Sequence, residues 1–255
     1  MQARSDENPY FPKEEFERKR LTMDPRRFNM IYGGEFNKIE GLVYDNFYED
    51  THICAQEPLP DGTIIVAGVD WGYRDPTVII IVAIYPNGTV RVIGEHYKTQ
   101  QTINDIVQVA KQLKVVYNID RFYCDPSQPA SIQEFNRAKL SAIPAVNDIR
   151  PGVDAVYDLV SSGNFKVFSG KAPYMIDEMS IYHYRSDPDV HADKDIKEVM
   201  PVDQYNHCMD ALRYCIFSIK DTLLRKNKVI SHENKDLRLH ANDALLLKNT
   251  EEWDW

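Results

Sequence analysis

The sequence lacks the marks of a secreted, zinc-binding or membrane protein. Its cysteines are Cys54, Cys124, Cys208 and Cys215, and they form neither a CxxC pair nor a zinc-ligand spacing. The longest apolar run, residues 77–85, is too short to cross a bilayer. The first residues are polar and contain no apolar leader. We therefore expect reduced cysteines, no membrane contact and a cytoplasmic location.

Two further absences concern the binding of phosphate groups. No GxxxxGK[ST] loop is present, so we expect no ATP hydrolysis by this chain. Basic residues are also fewer than acidic ones, with 30 Lys and Arg against 39 Asp and Glu and a net charge of −9. This balance argues mildly against a DNA-binding protein, because phosphate contacts need cationic side chains. It does not exclude a nuclease, since divalent cations reverse the local charge of a carboxylate cluster.

The chain divides into three zones by composition. With 255 residues it is long enough for one sizeable α/β domain and additional segments. Residues 1–60 are predicted to be a polar connector with a short helix near residues 12–20, and residues 61–225 carry the strong hydrophobic periodicity. Residues 226–255 form a polar tail, which we expect to be partly disordered.

The periodic zone predicts a mixed sheet. Three β-branched runs, residues 63–70, 77–85 and 89–97, are predicted to be antiparallel strands, with a hairpin turn at Asn87-Gly88. Strands are then predicted at 121–125, 143–147 and 165–168, and helices at 102–117, 127–139, 153–162, 173–184 and 205–224. Ser127 is the predicted N-cap of its helix. The pattern indicates an α/β fold with three antiparallel strands, then parallel strands, and helices on both faces.

Three aspartates occupy positions that suggest metal chemistry. Asp70 ends the first strand of the periodic zone, Asp125 ends the fourth, and Asp210 lies among apolar residues in the last helix. If those two strands are neighbours, Asp70 and Asp125 lie side by side at the sheet edge where α/β proteins place their sites. Carboxylates suit Mg²⁺ and Mn²⁺, and two such ions roughly 3.5–4 Å apart promote phosphodiester cleavage. Taken singly, each acid also has a plain structural interpretation as a loop start or a solvent-facing helix residue.

Three motifs resemble those of a known family. They are Gly68-Val-Asp-Trp-Gly72, Tyr123-Cys-Asp-Pro126 and His207-Cys-Met-Asp-Ala-Leu-Arg-Tyr214. The set is similar to the C-terminal nuclease domain of large terminase subunits from tailed bacteriophages, over roughly residues 30–220 in element order. The resemblance implies a ribonuclease-H-like fold, two Mg²⁺ or Mn²⁺ ions and cleavage of concatemeric viral DNA. It assigns the catalytic, metal-binding roles to Asp70, Asp125 and Asp210, and an accessory role to Asp75.

The resemblance also sets the expected partners. A cellular ribonuclease H has a Glu ligand on its first helix, whereas the corresponding helix here offers only Asp105, which favours the terminase branch. Because the ATPase loop is missing, we interpret the chain as the nuclease part of a larger subunit. The implied partners are double-stranded DNA, an ATPase domain, the small terminase subunit and the portal, in the host cytoplasm. The isolated domain is expected to be a monomer.

Further candidate residues lie around this site or on the charged stretch before the last helix. His207 lies one helical turn before Asp210, where it is either an accessory group or an ordinary residue at a helix start. Candidate DNA contacts are Arg74, Arg185, Lys194 and Lys197, the last three in a charged stretch that also fits a solvated loop. Repulsion among the three acids predicts that Asp210→Asn melts no lower than the unmodified chain without metal. Two alternatives stay open, a resolvase- or transposase-like nuclease and a non-catalytic interaction module.

Overall fold

A computed structural model describes residues 12–22, 41–184 and 200–219. Within those residues, no helix is both long and apolar enough to cross a membrane. Three of the predicted DNA contacts, Arg185, Lys194 and Lys197, lie outside the described residues, and so does the predicted tail.

In the described part of the chain, the strands form one mixed sheet of seven strands. In chain order they are β1 (Ile53–Cys54), β2 (Ile64–Asp70), β3 (Thr77–Ile84), β4 (Val90–Lys98), β5 (Arg121–Cys124), β6 (Ala142–Pro144) and β7 (Phe165–Phe168). The spatial order is β1-β7-β4-β3-β2-β5-β6. Strands β2, β3 and β4 are antiparallel, and every other neighbouring pair is parallel. The predicted mixed sheet is confirmed, and β2 and β5 are direct neighbours.

Helices cover both faces of the sheet. They are α1 (Lys13–Thr22), α2 (Glu49–His52), α3 (Ile103–Tyr117), α4 (Pro129–Arg137), α5 (Ile149–Ser161), α6 (Pro173–Met179) and α7 (residues 207–219). One core lies between the sheet and α3 and α4, and it includes Ile106 and Phe135. The other lies under α5, α6 and α7 and includes Val156 and Leu212. Strand β3 contributes to both cores, which explains its continuous apolar sequence.

Several elements differ from the sequence prediction. The edge strand β1, which pairs in parallel with β7, and the helix α2 were not predicted, because both are too short to show periodicity. Helix α6 ends at Met179 instead of residue 184, since His183 turns back to pair with Leu42. Helix α5 begins before the predicted residue 153 and carries its proline in the first turn, where a missing N–H is harmless. The domain boundary at residue 60 stays a prediction.

A glycine allows α7 to lie directly against the central strand. A Cβ atom on Gly68 would be 1.7 Å from the backbone oxygen of Ala211, so only glycine fits at this position of β2. The close contact places the first turn of α7 beside the end of β2, where Asp70 lies.

Candidate active site

Asp70 and Asp125 lie at the ends of adjacent parallel strands. Val69 and Cys124 are register partners, and the Asp125 backbone N–H donates to Val69 O at 2.9 Å. Both aspartates are only 8% exposed. Val66 and Tyr123 belong to the core under α7, so strand alternation directs Asp70 and Asp125 to that same face. The two acids predicted at this sheet edge are therefore brought together.

Helix α7 brings the remaining predicted groups to the same edge. His207 Nδ1 and Asp70 Oδ2 are 3.1 Å apart. Asp210 follows one turn later, on the same helix. Burial raises the pKa of the Tyr214 phenol, and the charges of Asp210, Asp125 and Asp70 raise it further. The charges of all three carboxylates therefore act on the Tyr214 phenol, which indicates that the three acids lie around a common region.

The Asp70–His207 pair binds protons more tightly than the free side chains do. Burial raises the pKa of Asp70 to about 6, and the charges of Asp210 and Asp125 add to the rise, while the hydrogen bond with His207 opposes it. Burial by itself would lower the pKa of His207, but the hydrogen bond and charge of Asp70, followed by the charges of Glu178 and Asp75, raise it. The buried carboxylate therefore lacks full compensation for its charge.

The loop after Asp70 carries two more predicted residues, Arg74 and Asp75. Both side chains are exposed. The charge of Asp75 acts on the pKa of His207, so this accessory candidate lies near the acids. Arg74 is accessible to a large ligand at this edge, although no described contact links it to the acids.

Asp125 is held by the turn that follows it. Its Oδ1 accepts a hydrogen bond from Ser127 N at 2.9 Å, and its Oδ2 accepts one from the Ser127 hydroxyl. The predicted N-cap role of Ser127 is wrong, because α4 begins with Pro129 and Gln128 occupies the N-cap position. The Trp71 indole N–H donates to Asp125 O at 3.1 Å, which ties the two strand ends together.

Asp210 forms an ion pair that was not predicted. Arg213, only 2% exposed, donates to Asp210 Oδ1 through Nη2 at 2.8 Å and Nε at 3.2 Å. Asn206 Nδ2 donates to the other oxygen at 3.0 Å. Burial raises the pKa of Asp210, and the charge and hydrogen bonds of Arg213 lower it in part. Asp210 and Arg213 are three residues apart on one helix, and this spacing is the sequence signal from which the pair could have been predicted.

Glu178 is a buried carboxylate that the sequence analysis also missed. It is 4% exposed, and its Oε2 accepts a hydrogen bond from Cys208 N at 2.6 Å. It therefore satisfies a free N–H in the first turn of α7, beside His207. Burial raises its pKa to about 7 despite this bond. Its position on the apolar stripe between Met175 and Met179 was a signal that it faces the core.

These groups fit a divalent cation by their chemistry, but they do not form a finished metal cluster. Carboxylate oxygens on one buried face are the ligands that Mg²⁺ and Mn²⁺ prefer. Among residues 41–184 and 200–219, no three His, Cys, Asp or Glu side chains stand close enough together to hold an ion. Each acid instead faces a local partner, namely His207, Ser127 or Arg213. Joint coordination would require these side chains to turn from those partners.

The ion pair limits one expectation from the sequence. Burial raises the pKa of Asp210 in spite of Arg213, so a neutral side chain is favoured in the folded state, and Asp210→Asn should melt no lower than the unmodified chain in EDTA at neutral pH. The gain should be smaller than for Asp70→Asn, because the substitution also removes the counter-charge of a buried guanidinium. Asp61→Asn, at an exposed position, is the control and should melt like the unmodified chain in thermal scans. A lower melting temperature for Asp210→Asn would show that pairing with Arg213 outweighs burial and repulsion.

The strand order and the helices on both faces define a ribonuclease-H-like fold, as predicted. Comparisons with known proteins agree with this class. No family model matches the chain. The large terminase subunit of Escherichia phage T5 is 23% identical over 221 residues, covering 84% of this chain and 50% of that protein.

Solved nuclease domains have the same fold. The P22 large terminase nuclease domain superposes with a TM-score of 0.59 at 18% identity, covering 72% of this chain and 95% of that one. The large terminase nuclease of thermophilic phage G20c, solved with bound magnesium, gives 0.52 at 14% identity and covers 69% and 96%. The resemblance predicted from the three motifs is confirmed: the chain is similar to phage large terminases and has the fold of their nuclease domains. It spans about half the length of the curated relative it matches.

Proposed function

We propose that this chain is the metal-dependent nuclease part of a DNA-packaging terminase, and that it cuts double-stranded DNA by hydrolysis of phosphodiester bonds. The observation that carries the proposal is the meeting of Asp70 and Asp125 at adjacent strand ends, on the face where α7 adds His207 and Asp210. The similarity to large terminases and the magnesium bound in the G20c nuclease support it.

Electrostatics favour a cation at this edge. Asp70 is buried and its pKa is raised to about 6, so its ionised form is unfavourable without a positive charge nearby. His207 supplies part of that charge only while it is protonated. A divalent cation would supply the rest at neutral pH, and it would draw in the oxygens of Asp125 and Asp210.

The proposed roles follow from the positions of the side chains. Asp70, Asp125 and Asp210 are the proposed metal ligands, and Asp70, at the end of the central strand β2, would be the central one of the three. Two divalent ions, when bound, activate the attacking water and neutralise charge on the leaving oxygen. His207 orients Asp70 through its hydrogen bond and is placed to take up a proton, while Asp75 adds negative charge nearby. Arg74 is proposed to contact a DNA phosphate.

The wider setting is proposed by similarity. The curated relative is twice as long as the matched region, so we propose that this nuclease acts with an ATPase domain, a small terminase subunit and the portal in the host cytoplasm. It would cut concatemeric DNA at the start and end of packaging. Because the sequence has no phosphate-binding loop, this chain is not expected to hydrolyse ATP.

The buried acids weigh against the non-catalytic alternative. An interaction module gains nothing from a carboxylate whose ionisation is opposed by burial and by two further acids. A resolvase- or transposase-like nuclease would use the same acids on the same fold, and the terminase reading is preferred because of the similarity to the T5 protein.

A nicking assay tests the proposal. We expect supercoiled plasmid to be converted to nicked and linear forms in Mn²⁺ or Mg²⁺, and to stay intact in EDTA. Calorimetric titration with Mn²⁺ should give two ions per chain if both metal positions form. Cleavage that persists in EDTA would contradict metal dependence. A stoichiometry of one, with full cleavage, would contradict the use of two ions.

A further inference from the structure

Three exposed tyrosines lie at the carboxylate end of the sheet. Tyr73, Tyr174 and Tyr205 are 63%, 50% and 48% exposed. Tyr73 follows Asp70 by three residues, and Tyr205 precedes His207 by two. Tyr174 stacks on Tyr97, with ring centroids 4.3 Å apart and an interplanar angle of 8°. We call Tyr73, Tyr174 and Tyr205 the tyrosine rim.

The strand register relates Tyr174 to the acids. Asp70 is the partner of Val78, and Val78 is the partner of Tyr97, on which Tyr174 stacks. Two strand spacings, about 10 Å in all, therefore separate the Asp70 and Tyr97 backbones. The Tyr174 backbone N–H is fixed as well, since it donates to Glu95 Oε1 at 2.9 Å. The stacked ring is thus held close to the candidate active site.

The loop that carries Tyr73 is fixed by hydrogen bonds at both ends. The Thr77 hydroxyl donates to Gly72 O at 2.6 Å and accepts from Gly72 N at 3.1 Å. Gln100 N donates to Tyr73 O at 2.8 Å. A Cβ on Gly72 would lie 2.5 Å from the Asp75 and Pro76 oxygens, so the turn is closely packed. The ring of Tyr73 is therefore exposed on an ordered backbone.

Tyr205 is also presented by a specific backbone conformation. Its φ angle is +52°, in the left-handed region that a tyrosine rarely adopts. The next residue, Asn206, is buried and bonded to Asp210, which holds the strained residue in place beside the acids. Strain of this kind persists where the surrounding structure enforces it, and it concentrates at functional sites.

The net charge of the protein suggests a role for the tyrosine rim in DNA binding. The chain has fewer basic than acidic residues and a net charge of −9, whereas ionic contacts supply most of the affinity of ordinary DNA-binding proteins. We propose that the tyrosine rim contacts the DNA by stacking on its bases and sugars, and that it supplies a non-ionic share of the affinity at the cut. This inference rests on the proposed function. Aromatic stacking is strongest on bases that are not already stacked in a duplex.

The salt dependence of binding separates stacking from ionic contacts. Affinity of the chain would be measured in Ca²⁺, by fluorescence anisotropy over a salt series, for a labelled single strand and for the duplex of the same sequence. We expect Tyr73→Ala and Tyr205→Ala each to weaken binding about 5- to 150-fold. The slope of log K against log salt should stay unchanged, and the loss should be larger for the single strand. Arg74→Ala should instead reduce the slope by about 0.7–0.9.

Further variants control for structural damage. Tyr73→Phe keeps the ring and should bind like the unmodified chain, and Tyr174→Leu keeps apolar packing on Tyr97 while it removes the stacking surface. Tyr48→Ala is the matched control, because Tyr48 is 55% exposed but lies beside β1, at the far edge of the sheet. Melting temperatures of all variants should stay within a degree or so, as expected for exposed positions.

The outcomes distinguish the two proposals. If the unmodified chain cuts DNA in Mn²⁺ and the Tyr73→Ala and Tyr205→Ala variants bind normally, the rim proposal is wrong and the proposed function stands. A weaker affinity that comes with a smaller salt slope, or equally in Tyr48→Ala, also overturns the rim proposal. A chain that neither binds nor cuts DNA overturns the proposed function and the rim with it.

Discussion

Replacing Asp70 with Asn should abolish DNA cleavage and yet stabilise the metal-free protein at neutral pH. We expect the rate of plasmid nicking in Mn²⁺ to fall at least a thousandfold, about 4 kcal/mol of transition-state stabilisation, because Asp70 is the proposed central ligand. Asn has the same shape but carries no charge, so the fold is retained. Asp61→Asn, an exposed change of the same type, should cut normally.

The stability part follows from the pKa of Asp70. Its value in the folded protein is about 6, against 3.8 for the ordinary carboxyl. The folded state therefore binds the Asp70 proton more tightly than the unfolded state does. Protonated Asp70 contributes its full stabilisation to the fold below about pH 3.8, and this stabilisation is lost as the pH rises through 6. The difference corresponds to roughly 3 kcal/mol. Asn cannot ionise, so Asp70→Asn should melt higher than the unmodified chain at pH 8 in EDTA, with the advantage shrinking towards pH 5.

Asp70→Asn should thus stabilise the metal-free protein more than Asp210→Asn does. Asp210 has a buried cationic partner in Arg213, whereas Asp70 has only the weakly basic His207. Thermal scans of both Asn variants in EDTA, at pH 5 and pH 8, provide the comparison. An Asp70→Asn variant that melts lower than the unmodified chain at pH 8 would show that His207 compensates the carboxylate fully. Near-normal nicking by that variant would remove Asp70 from the proposed ligands.

Local sequence patterns predicted the part of the site that depends on strand ends. Asp70 and Asp125 each follow a β-branched or aromatic run, and the alternation of strands and helices made β2 and β5 plausible neighbours. His207 was a candidate because it lies one turn from Asp210 on a periodic helix. In each case the informative residues are close together in the chain, where spacing determines which side chains share a face.

The remaining contacts join residues that are distant in sequence. Glu178 caps α7 from a separate helix, 30 positions before Cys208, and no local pattern specifies that pairing. Strand β1 is only two residues long and gains its place from β7. The cap of α4 was assigned to Ser127 because a serine before a helix normally caps it, whereas Gln128 occupies that position here and the Ser127 hydroxyl donates to Asp125. Tertiary packing decides all three cases.

Among the glycines that the structure describes, Gly68 is the one where replacement with Ala should be most damaging. The added Cβ would lie 1.7 Å from the oxygen of Ala211 and 3.3 Å from the nitrogen of Cys215, so α7 must move away from β2. Overpacking of a core costs about 1–3 kcal/mol, and we expect a loss at the upper end or beyond it, because backbone atoms cannot rotate out of the way. The measurement is denaturant unfolding of the purified variant.

Catalysis should suffer more than stability in the Gly68→Ala variant. Moving α7 shifts His207 and Asp210 relative to Asp70, and a misplacement of about 1 Å can cost a hundredfold in rate. Gly94→Ala is the matched control, since a Cβ on Gly94 would meet side chains of the opposite core, the end of the Tyr117 ring at 2.8 Å and Ile81 Cδ1 at 3.1 Å, and not the backbone of α7. These side chains do not carry the acids, so Gly94→Ala should keep most of its activity. If both variants cut DNA equally well at a temperature where both are folded, the close seating of α7 on β2 is not what aligns the acids.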